Sequence, residues 1–259
     1  MKQPPSVDCA CQVLSSREIL PGVFSVHLQL PPGSPAPHPG QFVQVEPSRG
    51  VFPVTRRPFT VNSFRSGVLE IVFDVVGRGT ALMASIEAGF EMRILGPLGK
   101  GWDMSGDGPW ILVGGGLGAA GFQFLLDTVE CSGVVLGARS ASRLVPLKTR
   151  CPVITATEDG SSGTRGLITS ILGEDVLEGA GHIALCGPLA MMDAVWKALP
   201  PELRSIVQVS TESRMGCGWG VCEGCSIPVH PGGYMKCCTD GPVFRGEVID
   251  WDRWKEAGV

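Results

Sequence analysis

A chain of 259 residues exceeds what one hydrophobic core usually organises, and it reads as two domains with a small appended module. Its 44% hydrophobic and 18% charged residues argue against disorder, while 36 glycines and 21 prolines indicate many turns and short strands. A net charge of -4 without a Lys/Arg-rich run leaves no electrostatic footprint for nucleic acid or an anionic membrane, and no stretch has the length and apolarity of a membrane span or signal peptide, so the cytoplasm is the expected location.

From Cys11 to about Arg93, β-branched and aromatic runs recur between turn signals: residues 23–28, 41–45, 69–73 and 90–94. Such regular short strands predict an antiparallel barrel or sandwich. Arg57-Pro58-Phe59-Thr60 heads a further strand, where Arg57 suits a phosphate and Phe59 with Thr60 suits the border of a flavin ring. Gly77-Arg78-Gly79-Thr80 opens a helix expected over 81–86 and turns amides and a hydroxyl toward a pyrophosphate; an ordinary turn and cap is the competing reading.

A breaker-rich segment, 96–109, separates this region from alternating strand and helix signals, and a boundary is expected near residue 105. Residues 110–113 form a buried-type strand followed by Gly114-Gly115-Gly116-Leu117-Gly118-Ala119-Ala120-Gly121, in which Gly116, Gly118 and Gly121 satisfy G-x-G-x-x-G. A helix is expected to Glu130, then strands at 133–136 and 183–185 and a helix through Leu199, which together make a parallel α/β domain. The acidic residue usual about twenty positions after such a loop is replaced by Gly137-Ala138-Arg139-Ser140, so a simple Rossmann dehydrogenase is not favoured and the choice of NAD or NADP stays open. Cys186-Gly187-Pro188 follows a strand, which puts a small thiol at the end of the sheet where such folds bind ligands; a buried structural cysteine is the alternative.

After Val209 the chain loses helical period and becomes dense in cysteine and glycine. Cys217-x4-Cys222-x2-Cys225, followed by Cys237-Cys238, has the plant-type spacing of [2Fe-2S] ligands, and Gly216, Gly218, Gly220 and Gly224 let backbone amides approach sulfur. A structural zinc site and buried apolar cysteines are the alternatives. Successive side chains of an extended segment point to opposite sides, so only one of Cys237 and Cys238 serves as fourth ligand, and spacing does not choose between them.

Taken in order, Pro39-Gly40-Gln41-Phe42, Arg57-Pro58-Phe59-Thr60, Gly77-Arg78-Gly79-Thr80, the 114–121 loop and Cys186-Gly187-Pro188 resemble the ferredoxin-NADP reductase superfamily. Cys217-x4-Cys222-x2-Cys225 with Cys238-Thr239-Asp240-Gly241-Pro242-Val243-Phe244 narrows the resemblance to electron-transfer subunits of NAD-dependent dihydroorotate dehydrogenase. It implies an FAD-binding β barrel over 1–105, an NAD-binding α/β domain with a parallel sheet over 106–208 and a [2Fe-2S] module over 209–259. FAD would be held by Arg57, Pro58, Phe59 and Thr60, by Val72, Phe73 and Asp74, and by Gly79 and Thr80; Asp74 departs from the basic residue often found there. NAD would lie on Gly115, Gly116 and Gly118, with Cys186 bordering the hydride-transfer site, and Cys238 would complete the ligand set Cys217, Cys222 and Cys225.

The resemblance further implies an FMN-containing, dihydroorotate-oxidising partner in a heterotetramer of two copies each, serving pyrimidine biosynthesis, with electrons crossing the cluster and FAD to NAD. No side chain of this chain is then a general acid or base. The competing readings are a reductase subunit of another complex, such as a ferredoxin-NADP transhydrogenase, sulfite reductase or hydrogenase, and a zinc-stabilised regulator with a degenerate nucleotide-binding domain.

Overall fold

The computed structural model describes residues 6–47 and 55–256. Its first part is a barrel of β1 (Val7–Leu20), β2 (Val23–Gln29), β3 (Phe42–Val45), β4 (Arg57–Arg65), β5 (Val68–Asp74) and, after helix α1 (Arg78–Ala84), β6 (Glu91–Leu98). The strands close antiparallel in the order β1-β2-β5-β4-β3-β6, which leaves no open edge. Alternation sends Val26, Leu28, Val43, Val45, Leu69, Ile71 and Phe73 inward, and Met83 of α1 joins that core.

The second part contains β7 (Trp110–Gly115), α2 (Phe122–Leu126), β8 (Cys131–Ala138), β9 (Val153–Thr157), β10 (Thr164–Arg165), α3 (Glu174–Leu177), β11 (His182–Cys186), α4 (Leu189–Ala198) and β12 (Val207–Ser210). These strands are parallel, and both faces of the sheet are covered, as parallel sheets require. In β7, Ile111 and Val113 pack with Met192 and Val195 on one side, and Trp110 and Leu112 pack with Phe122 and Leu125 on the other.

Two expectations are corrected. The glycine loop does not lead straight into an α-helix: residues 116–121 form a 3-10 turn, and α2 ends at Leu126 rather than near Glu130. The last fifty residues, expected as a small module, are joined to the α/β sheet. After a short hairpin of β13 (Ser226–Pro228) and β14 (Tyr234–Lys236), β15 (Val243–Arg245) adds antiparallel to β12, giving the sheet order β10-β9-β8-β7-β11-β12-β15. Nor is the C-terminus without helix, since α5 (Trp251–Glu256) buries Trp251 and Trp254 in the α/β core. The division at 105/106 falls in the connection between β6 and β7, and that at 208/209 falls inside β12. No helix among the described residues is long and apolar enough to cross a membrane.

Candidate flavin, nicotinamide and iron-sulfur sites

Strand β4 divides the first set of candidates. Phe59 packs on Phe73 with ring centroids 5.3 Å apart; Phe73 is buried in the barrel core, and Phe59 is partly buried against it. Pro58 and Thr60 turn outward, opposite Gln44 and Phe42 of β3. The Arg57 guanidinium donates to the Thr55 carbonyl and hydroxyl at 2.5 Å and lies over Gly79, where an added Cβ would sit 3.3 Å from Nε. Thr80 is spent within the turn: its hydroxyl accepts from the amides of Val76 and Gly77 at 3.0 and 3.2 Å. Arg57 beside the first-turn amides of α1 thus supplies cationic and N–H donors together, a donor set that fits a pyrophosphate. Val72 faces the α/β domain, and Asp74 forms an ion pair with Arg143 of that domain.

The glycine loop is shaped by close approaches. Gly116 takes a left-handed φ of 52°, and a Cβ on Gly118 would lie 2.6 Å from the Gly187 Cα and 3.1 Å from the Cys186 carbonyl carbon. Gly115 meets Met191, and Gly121 meets the Thr60 methyl group of the barrel, so the third glycine of the motif serves domain packing. Arg139 is exposed directly after β8. Burial pushes the Cys186 thiol up to about 12, against a hydrogen bond from Ser210, which keeps it a neutral thiol at the end of β11.

Where barrel and sheet meet, a cavity of about 370 Å³ is lined by Phe42, Pro58 and Thr60 on the barrel side, Gly187 on the sheet side, and Thr211 and Met215 after β12. Phe42 and Met215 also belong to the apolar cluster that contains Cys225, Cys237 and Cys238. One wall therefore separates this cavity from the cysteine loop.

In that loop, Cys217 contacts Cys222, whose amide approaches its sulfur at 3.5 Å, and Cys238 contacts Cys225. Burial opposes ionisation of Cys217, but the amides of Cys222, Trp219 and Val221 outweigh it and bring this thiol down to about 6. Burial, then the Cys225 contact, pushes Cys238 up to about 12. Cys237 points the other way: its sulfur is 3.3 Å from the Thr211 hydroxyl, its amide donates to the Cys225 carbonyl at 3.0 Å, and burial pushes it up to about 12. Lys236 closes the loop by donating to the Gly220 carbonyl at 2.9 Å and pairing with Glu223 at 3.1 Å.

Among the described residues no three His, Cys, Asp or Glu side chains converge on a single ion-sized point; the four cysteines stand as two contacting pairs. Two pairs of thiols suit a two-iron core, in which each iron takes two thiolates beside the bridging sulfides. A second observation favours a bound group here. Gln44 is fully buried, both its side-chain nitrogen and oxygen lack partners, and it lies against Gly218 of the loop. Buried amides are rarely left unbonded, and a sulfur-rich anionic centre offers acceptors for such a donor. Gln44, Thr211, Met215 and Arg143 carry no motif. Only the outward alternation of Phe42 and Gln44 along β3 hinted at a second packed face.

The family model for the iron-sulfur cluster binding domain of dihydroorotate dehydrogenase B matches residues 212–250. The chain is 32% identical over 244 residues to the "Dihydroorotate dehydrogenase B (NAD(+)), electron transfer subunit" of Caldanaerobacter subterraneus subsp. tengcongensis, covering 92% of this chain and 96% of that protein. It is 35% identical over 226 residues to the protein of the same name from Geobacillus kaustophilus, covering 82% and 86%. Among solved structures, that of an NADH-dependent reduced ferredoxin-NADP oxidoreductase, solved for flavin-based electron bifurcation, superposes with a TM-score of 0.79 at 27% identity, over 95% of this chain and 91% of the other.

Proposed function

Because the chain belongs to the family of dihydroorotate dehydrogenase B electron transfer subunits, we propose that it carries electrons between a catalytic, FMN-containing, dihydroorotate-oxidising partner and NAD, using FAD and a [2Fe-2S] cluster. The observation that carries this reading is the shared wall: Phe42 and Met215 line the inter-domain cavity and also pack against the cysteine loop. When bound, the flavin exchanges a hydride with nicotinamide and single electrons with the cluster, which couples two-electron to one-electron chemistry.

The chain's own residues hold and shape these sites. Arg57 with the first turn of α1 grips the flavin pyrophosphate, and Pro58 and Thr60 border its ring. Gly115, Gly116 and Gly118 let the nicotinamide dinucleotide approach the ends of β7 and β11, beside a neutral Cys186. Cys217, Cys222, Cys225 and Cys238 are the cluster ligands, Cys237 packs behind them, and Gln44 donates toward the cluster. No proton transfer by a side chain is required. Trp219 and Val221, 57% and 78% exposed on the cysteine loop, form the apolar contact for the partner, and the assembly is a heterotetramer of two copies each.

A second reading, a subunit serving ferredoxin and NADP, is favoured by the likeness to the ferredoxin-NADP oxidoreductase. Anaerobic co-purification with the dihydroorotate-oxidising subunit, followed by an assay of NAD reduction, separates the two. Dihydroorotate-dependent NAD reduction only in the co-purified complex supports the first; the same centres with no association, but with reduction by ferredoxin, would move the assignment to the second. Zinc without flavin would sink both.

A further inference from the structure

Two thiols outside these sites are in contact. Cys131 opens β8 and Cys151 lies two positions before β9; the parallel ladder continues between them as the Val134 amide donates to the Pro152 carbonyl at 2.9 Å. Paired strands lie about 4.8 Å apart, so the two backbones are within the span of a disulfide. The sulfurs are 2.8 Å apart, whereas those of Cys9 and Cys11, neighbours along β1, are 3.7 Å apart. Both Cys131 and Cys151 border an open cavity of about 520 Å³ whose other walls include Arg65, Lys148, Thr149 and Arg150. The Thr149 hydroxyl is 2.8 Å from the Cys151 sulfur and accepts from the Cys151 amide at 3.1 Å.

We infer that Cys131 and Cys151 are a redox-responsive pair that hydrogen peroxide closes to a disulfide. Cys151 sulfur attacks one peroxide oxygen as its thiol proton is shed; the O–O bond breaks, Cys151 becomes a sulfenic acid, and the hydroxide released takes up that proton and leaves as water. Cys131 sulfur then attacks Cys151 sulfur, the S–S bond forms, the S–O bond breaks, and the hydroxyl leaves as a second water with the Cys131 proton. Each sulfur gives up one electron and both peroxide oxygens are reduced. Both sulfurs border the open cavity, so peroxide reaches the pair from solvent; burial, then the contact with Cys151, pushes the Cys131 thiol up to about 12, so Cys131 keeps its proton and Cys151 is the first nucleophile. The bond joins positions 20 apart and closes the segment that carries Arg139 and Arg143, the latter tying the α/β domain to the barrel through Asp74.

The test is made on the anaerobically purified holoprotein, in which four cysteines are held by the cluster, Cys11 and Cys237 are buried, and Cys9 and Cys186 are partly exposed. One equivalent of peroxide, blocking of free thiols and non-reducing peptide mapping should yield a linked Cys131–Cys151 peptide that dithiothreitol separates. The oxidised protein should melt roughly 5–10 °C higher than the reduced one, as a closed loop of this size predicts. Both shifts should vanish in the Cys131→Ser/Cys151→Ser double variant while its flavin and cluster absorbance remain. If that variant misfolds, the wild-type map still decides. Recovery of both cysteines as separately blocked thiols after peroxide, or linkage of either to another cysteine, overturns the inference.

Discussion

Cys237 and Cys238 are adjacent in sequence and opposite in environment. Cys238 touches Cys225, while Cys237 is bonded to Thr211 behind the loop. Cys238→Ala should therefore abolish the [2Fe-2S] absorbance, whereas Cys237→Ala should keep it and cost about 1–2 kcal/mol of stability from lost packing; iron content and thermal melts on both variants check this. Gly118 is fixed by approach rather than by φ. Its Cβ would meet the backbone of Gly187 at 2.6 Å, which has no side-chain freedom to yield. Gly118→Ala should raise the KM for NADH by about tenfold or more with flavin content unchanged, since the displaced turn carries Cys186 to the same site; steady-state kinetics with an artificial electron acceptor measures it.

At the scale of elements, period-2 runs made β2, β3, β5 and β6 legible, because a closed barrel buries every second residue of a short strand. Strand β1 was not legible: its 14 residues alternate weakly, with Cys, Ser, Arg and Glu among them, and only its ladders to β2 and β6 hold it extended. Motifs located the cysteine loop and the glycine loop, but not Gln44 or Met215, whose roles arise from contacts distant in sequence. The attachment of the last fifty residues to the α/β sheet was illegible for the same reason, since β15 and α5 are too short to signal locally and gain their structure from β12 and the α/β core. Helix α5 is tied to α4 by Asp193, whose side chain is only 4% exposed and meets Lys255 and Lys197 at 2.9 Å each. Burial opposes this charge, but the two lysines outweigh it and lower the carboxyl below its ordinary 3.8. A depressed native value contributes stability above the unfolded pKa and loses it as pH falls through the native one. Asp193→Asn should thus cost about 1–2 kcal/mol at neutral pH, and the difference from wild type should shrink below about pH 4, as denaturant melts across pH will report.

Over the whole molecule, the barrel, the sheet and the cysteine loop meet at one junction. The barrel contributes Phe42, Pro58, Thr60 and Gln44, the sheet contributes Gly187 and Thr211, and the loop contributes its cysteines and Met215. Ion pairs Asp74–Arg143 and Arg65–Asp127 brace barrel against α/β domain. The loop's other face presents Trp219 and Val221 to solvent. Trp219→Ala with Val221→Asp should weaken association with the dihydroorotate-oxidising subunit by about 2 kcal/mol or more, as loss of an apolar anchor does, while leaving flavin and iron content intact; sedimentation of the mixed subunits measures it.

The central claim is that nicotinamide, flavin and cluster communicate within this one chain, and anaerobic titration of the isolated, reconstituted protein with NADH, followed by low-temperature electron paramagnetic resonance, tests it most directly. The account predicts loss of flavin absorbance together with the signal of a reduced [2Fe-2S] cluster. Flavin bleaching with no cluster signal, or a cluster that dithionite reduces and NADH does not, would contradict it.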